Sequence, residues 1–305
     1  MGTASERKFM SITAQAVIDR IQRKFGPGWE PTPVDAFMAG KPDTEVKGIA
    51  TTYAPTLEVL KKAVASGKNL IISRESPWWN RLNAFGGGTQ FQGLPSVWTN
   101  GQDYVRQEAG AAETDPTLIA KKQYIEANNL VVYRWFANWN AQPVDFQLKG
   151  LAKALGWEQH YKPSGGFAWG HNNGFFELAP ATLKDTAIAI KKKLGVKSIR
   201  IGGKPETIVH KAALSHGMYW LPDIQKLYAE PGVDLLVMGE PEWENELSLY
   251  SFDVADSGQK KGYIVLGQQV SEEPGCAEMA AWIKPIVTEV PIEHIPAGEP
   301  CWISS

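Results

Sequence analysis

The sequence predicts an α/β protein made of two similar, interleaved halves, and two observations carry that prediction. Short apolar strands alternate along the chain with helices of one-sided apolar pattern, the order that builds a mostly parallel sheet. Four of the strands also end abruptly in polar groups: Asn69–Ser76, Val131–Asn140, Asp234–Glu240, and Gly262–Gly267 running into Gln268. Strand C-termini are where open α/β sheets present ligand-binding groups. The four ends are therefore expected to meet in one cleft.

The elements follow in order. Thr13 N-caps a helix whose Val17, Ile18, Ile21 and Phe25 share a face, and Gly26 ends it. Residues 27–45 are Pro-rich and read as loop. Val46–Thr51 reads as a strand, Pro55 opens a helix through Leu57, Leu60 and Val64 that stops at Gly67, and 69–73 is the next strand. Together these make a parallel β-α-β unit. The rhythm lapses over 78–115, where Gly86–Gly88 and scattered aromatics show no period. A loop of that length is usually functional. It is read as a lid over the cleft, with a surface insertion or an oligomer contact as an equal alternative.

Order returns at Asp115-Pro116, an N-cap followed by proline, with Leu118, Ile119 and Ile125 apolar. Strand 129–135 and a helix marked by Phe146, Leu151 and Leu155 complete the first half, residues 1–157. An irregular segment, 158–178, connects it to the second half, 179–305. There Thr182 caps a helix that Gly195 ends. Strands are expected at 197–201, 206–214, 233–238, 262–266 and Val287–Ile295, with helices through Leu247 and over Pro274–Ile283. Gln268–Gly275 reads as a carboxylate-rich turn.

Composition narrows the function. The 305 residues suffice for a large core, and a net charge of -2 leaves no basic stripe for nucleic acid. No run of about eighteen apolar residues occurs, so no membrane helix is expected. The opening residues lack the apolar segment of a signal peptide, and the expected compartment is the cytoplasm, an export signal removed earlier remaining open. Cys276 and Cys301 have no metal-ligand spacing and read as free thiols. Among twelve tryptophans, Trp78, Trp79, Trp135 and Trp139 lie beside strand ends. They are either core rings or the walls of a pocket that stacks a sugar or a planar ligand.

The chemistry-bearing residues follow from the same strand ends. Glu75, Glu240, Glu272 and Glu273 end or follow apolar strands, with Arg74 and Asn140 at equivalent places. Grouped carboxylates ligate hard cations, act as acids and bases, or pair with arginine. The five histidines show no HxxxH or HxH spacing. His171, in the Trp-Gly-His-Asn-Asn segment, is the best placed to reach a cleft, and His216 is second. No GxSxG elbow, P-loop or dinucleotide fingerprint is present.

In these anchors the chain resembles the NIF-three-like family, also known as GTP cyclohydrolase I type 2 and as dinuclear-metal-centre hexameric proteins. The matching stretches are Val46–Thr52, Asn69–Ser73, Val131–Arg134, Gly150–Gly156, Met238–Glu240 and Val265–Gly275, within about residues 12–302. The resemblance implies the family's fold, a homo-oligomer of up to six chains, and a Zn, Mn or Fe centre. The departures fall on that centre. Histidine gives way to Arg74, the Asp/His-rich second cluster to Phe136–Asn140, and the last histidine to Gln268. Glu272, with Glu75, is what remains to hold a metal. Amide oxygens bind transition metals poorly, and a guanidinium occupies cation space with its own charge.

No cofactor is therefore expected. The first reading is an enzyme with a remodelled, metal-free cleft that hydrolyses or eliminates from a sugar-like or aromatic small molecule. Arg74, Glu75, Glu272 and Glu240 would act on it; Trp78, Trp79, Trp135, Trp139, Asn140, Gln268 and His171 would bind it. The alternatives are a non-catalytic binding or assembly protein, and a metal-dependent hydrolase with an altered site.

Overall fold

The computed structural model of the protein describes residues 11–32, 34–78, 114–140, 145–163, 173–241 and 244–302. In chain order the elements are α1 (Ala14–Phe25), β1 (Phe37–Ala39), β2 (Ile49–Thr52), α2 (Leu57–Ala65), β3 (Leu70–Ser73), α3 (Pro116–Ala127) and β4 (Val131–Arg134). There follow α4 (Ala137–Asn140), α5 (Phe146–Leu155), β5 (Tyr161–Pro163), β6 (Asn173–Thr182), α6 (Leu183–Leu194), β7 (Arg200–Gly202) and β8 (Ile208–Ser215). The chain continues through β9 (Met218–Tyr219), α7 (Leu221–Ala229), β10 (Leu235–Met238), β11 (Glu240–Pro241) and α8 (Glu244–Asp256). It closes with β12 (Gly262–Val265), α9 (Gln268–Ile283) and β13 (Ile292–His294). The expected mixed α/β class is what the chain adopts.

Two compact units form, one from Met1–Asn138 with Met279–Ala297, the other from Trp139–Glu278 with Gly298–Ser305. The first unit's boundary falls near 138, where the sequence placed it at 157. The unit also takes back 279–297, because β13 pairs in parallel with β2. Its sheet has the order β1-β4-β3-β2-β13, with only β1 antiparallel to its neighbour. All residues of β2, β3 and β4 are buried, as a sheet covered on both faces requires. Ala50, Ile71 and Val132 join Val59, Leu60, Ala63 and Ile125 of α2 and α3 in one core. Period-two alternation sends Ile49, Leu70, Ile72 and Val131 to the opposite face, where they are also buried.

The second unit's sheet runs β5-β6-β8-β10-β12-β7, parallel across β8-β10-β12 and antiparallel elsewhere. Along β10 the side chains divide cleanly. Leu235 and Val237 pack with α5 and α6, while Leu236 and Met238 pack with α7 and α8. The result is a three-layer α/β/α arrangement.

Local signals explain most boundaries. Thr13, Thr56, Asp115, Asp145 and Thr182 each accept a backbone N–H from the first turn of the following helix. Gly156 and Gly195 end α5 and α6 in the left-handed conformation. Thr56, not Pro55, opens α2, because only the threonine hydroxyl can receive the Val59 N–H, at 3.2 Å. Three expectations fail. Residues 173–178, expected irregular, belong to the ten-residue β6. The last strand is only Ile292–His294. Gln268–Gly275 is no turn but the first half of α9, which carries Pro274 inside it. The start signal is Gly267, whose φ of 88° turns the chain directly from strand into helix. Its carbonyl then accepts the Ser271 N–H at 3.1 Å.

Candidate functional site

In the first unit, the ladder of β3 continues past its end. Arg74 N donates to the Thr52 carbonyl at 3.1 Å and Glu75 N to the Tyr53 carbonyl at 2.8 Å. Ser73 Oγ donates to the Glu75 carbonyl at 2.7 Å. The Arg-Glu pair is therefore fixed at the backbone before its side chains act. Arg74 Nη1 meets Glu75 Oε1 at 2.6 Å, and Arg134 Nη2, from the end of β4, approaches Oε2 at 3.4 Å. Arg134 Nε donates to the Arg74 carbonyl at 3.1 Å. Both guanidinium planes lie over the Phe136 ring, 3.9 and 4.8 Å from its centroid, a stacking that suits their weak hydration.

This cluster is deep. Arg74 and Arg134 are 2 and 3 % exposed against 22 % for Glu75, and Arg134 Nη1 is buried with no acceptor among the described residues. Burial holds the Arg134 pKa below its usual value and Arg74 adds to the effect, while Glu75 and Asp35 oppose it. Asp35 is committed elsewhere. Its oxygens accept from Phe136 N, Ala137 N, Asn138 N and Asn138 Nδ2, at 2.6–2.8 Å.

In the second unit the corresponding strand ends hold a different cluster. His216 follows β8; its Nε2 lies 2.8 Å from Asp145 Oδ2 and its Nδ1 lies 3.0 Å from Glu272 Oε1 of α9. The exposures are 0, 1 and 0 %, a fully buried ion triad. Burial alone would lower the imidazole pKa, but Asp145 and then Glu272 outweigh it and raise the value to about 9. His216 is thus a cation at neutral pH with both ring N–H groups donating. Asp145 serves twice, because its Oδ1 also caps α5 through Gln147 N and Leu148 N at 2.9 and 3.1 Å.

Close backbone packing holds the triad's supports. Gly217 N donates to Ser271 Oγ at 3.1 Å, and Glu240 N donates to the Gly217 carbonyl at 2.8 Å. A Cβ at Gly239 would come within 2.7 Å of both Gly217 N and Ser271 Oγ, so only glycine admits this approach.

The residues singled out from sequence divide as follows. Arg74 and Glu75 lie together in the first unit, and Arg134, which sequence reasoning passed over, completes their cluster. Glu272 is buried in the second unit with His216 and Asp145. Asp145 was also missed, although Asp145 before the Phe146 helix is a readable cap. Glu240 is half-buried at the start of β11, and Gln268 is half-buried at the start of α9. Asn140 ends α4, and its Oδ1 is buried without a donor among the described residues.

The tryptophans are a correction. Trp135 and Trp139 are 0 % exposed. Trp135 packs on Trp29 and Trp282 with centroids 6.3 and 5.4 Å away, and Trp139 stacks on Phe146 at 4.7 Å. They are core rings, because their apolar area is worth more buried than offered to a ligand. Trp78 packs against the first unit's core and donates its indole N–H to the Met38 carbonyl at 3.0 Å. Trp79, His171 and all but the ends of 78–115 lie outside the described residues.

The residues present do not fit the metal centre that the resemblance implies. A transition metal needs lone pairs converging on one point. In the first unit a guanidinium stands at position 74, and the Glu75 carboxylate is already neutralised by arginine. In the second, both ring nitrogens of His216 already face carboxylate oxygens, at 2.8 and 3.0 Å. Among the described residues no group of three or more His, Cys, Asp or Glu could hold a metal ion. No helix among them is long and apolar enough to cross a membrane.

No family model matches the sequence, and no curated protein matches it either. Solved structures do. The protein ybgI, of unknown function, is 19 % identical with a TM-score of 0.64, covering 95 % of this chain and 100 % of its own. Staphylococcus aureus protein SA1388 is 16 % identical with a TM-score of 0.63, covering 96 and 99 %. A Bacillus cereus protein related to NIF3 is 13 % identical with a TM-score of 0.62, covering 96 and 98 %. Over nearly its full length, then, the chain has the NIF-three-like fold.

Proposed function

We propose that this chain is a NIF-three-like protein in which protein-borne cations have taken the place of metal ions, and that it is a hydrolase or lyase acting on a small molecule. The observation that carries the reading is Glu75 gripped by two buried arginines at 2.6 and 3.4 Å. Such a site offers fixed positive charge to an oxyanion that develops during hydrolysis or elimination, without reorganisation. Glu75, the cluster's most exposed member, is its acid–base group. Glu272 is a positioning residue that orders His216, since its own carboxylate is fully buried. Glu240 and Gln268, both half-buried, remain candidates for substrate contact.

The test is a turnover screen of glycosides, thioesters and nucleotides with metal-depleted protein. Turnover that survives chelation and is lost in Glu75→Gln, with the circular dichroism spectrum unchanged, supports the reading. Turnover indifferent to Glu75→Gln removes it.

The closure of the Asp145–His216–Glu272 triad favours a second reading, a non-catalytic binding protein on the same scaffold. It predicts ligand-dependent thermal shifts in the same screen with no product formed. Assembly into a homo-oligomer of up to six chains belongs to the proposal through the resemblance, and sedimentation velocity at micromolar concentration tests it.

A further inference from the structure

Two exposed helix faces of the second unit lie apart from the strand-end clusters. On α6, Lys184, Ile188, Lys191 and Lys192 fall at i, i+4, i+7 and i+8, which is one side of a helix, and all four are exposed. On α8, Leu249, Phe252, Asp253 and Asp256 fall at i, i+3, i+4 and i+7, with Glu246 a turn ahead, and these are exposed too. Ile188 is 55 % exposed, Leu249 63 % and Phe252 66 %. Apolar residues scattered singly over a surface need no explanation, whereas neighbouring ones rimmed by charge mark a contact surface. The two rims are opposite in sign. α8 contains no basic residue, and on α6 the neighbouring Asp185 is engaged at 2.7 Å by the Thr182 hydroxyl.

We infer that the α8 face of one copy of this chain docks on the α6 face of another. Leu249 and Phe252 pack against Ile188, while Glu246, Asp253 and Asp256 meet Lys184, Lys191 and Lys192. Charge complementarity selects that pairing: two α8 faces brought together would set acid against acid, and two α6 faces lysine against lysine. The helices cover opposite faces of one sheet. Leu183, Ala187 and Ile190 of α6 pack with Leu235 and Val237 of β10, and Leu247 of α8 with Leu236 and Met238. A single copy therefore offers both surfaces at once, and the contact is head-to-tail, the kind that repeats into a ring or a chain. The inference rests on the homo-oligomer reading above and gives that assembly an interface. A contact of one helix on another is small, so its rim charges and Phe252 carry a large share of its affinity.

The experiment is sedimentation velocity of the untagged full chain over a concentration series, at low and at high sodium chloride. It is repeated with Lys191→Glu/Lys192→Glu, with Asp253→Lys/Asp256→Lys, with an equimolar mixture of these two, and with Phe252→Ser. The wild type should form an oligomer that grows with concentration and weakens with salt, as screened rim charges require. Each charge reversal alone should sediment as a smaller species. The mixture should restore the larger one, because each reversed face then meets its opposite. Phe252→Ser, which alters no charge and keeps the test decisive should a reversal fail to fold, should raise the dissociation constant roughly ten-fold or more. A wild type that is monomeric throughout overturns the inference and the homo-oligomer reading together. With an oligomeric wild type, reversal variants that sediment like it, a mixture of folded variants that stays dissociated, or an unchanged dissociation constant in Phe252→Ser overturns the inference alone.

Discussion

At the scale of single residues, the strand ends carry ion clusters that already contain their own cations. His216 shows this most sharply, and its sign can be worked out. Its folded pKa of about 9 lies above the ordinary value of about 6.5, so the folded state holds the proton more tightly. The stability it contributes is fully present below about pH 6.5 and is lost as pH rises through about 9. Denaturant unfolding of wild type and His216→Gln should therefore show a gap that narrows by a few kcal/mol over that window. A gap independent of pH would contradict the charged triad. Asp145 can be dissected as well. Asp145→Ser keeps the cap on α5 and loses the ion pair, at a cost of roughly 3–5 kcal/mol, while Asp145→Ala loses about 1 kcal/mol more. Equal costs would mean that the cap contributes nothing. Sequence pointed to Arg74, Glu75 and Glu272 because each ends or follows an apolar strand. It passed over Arg134 and Asp145, whose partners are 59 and 71 residues away, since no local pattern encodes such pairings.

At the scale of elements, what could be read was what is local. Caps at Thr13, Asp115 and Thr182 and stops at Gly26 and Gly195 involve a few neighbouring residues, and they fell where the sequence put them. The carboxylate-rich turn after β12 failed because Pro274 reads as a helix start, whereas Gly267 begins the helix seven residues earlier and Pro274 is carried within it. That difference matters to the site, since it puts Glu272 on the buried side of α9 instead of in an exposed turn. The approach of α5 to α9 depends on small residues at both faces. A Cβ at Gly150 would come within 2.7 Å of Gly275 N and the Pro274 carbonyl, and one at Gly275 would collide with the Gln147 amide. Gly150→Ala should cost about 1–3 kcal/mol, the usual range for overpacking against backbone that cannot yield. A neutral result in thermal unfolding would show that the two helices have room to part.

At the scale of the whole molecule, the class and the order of elements were legible because strand–helix alternation is periodic and repeats in both halves. The return of 279–297 to the first unit was not, because it depends on β13 pairing with β2 over two hundred residues upstream. The ligand-stacking role given to Trp135 and Trp139 failed for a related reason: proximity to a strand end says nothing about which way a ring faces. One unit carries an Arg–Glu–Arg cluster and the other an Asp–His–Glu triad, and of their members Arg74, Glu75 and Glu272 stand where the resemblance implies metal ligands. The most direct test is elemental analysis of untagged protein incubated with excess Zn, Mn or Fe and then dialysed exhaustively. The account predicts far less than one metal ion per chain for each element; retention of one or more equivalents would contradict it.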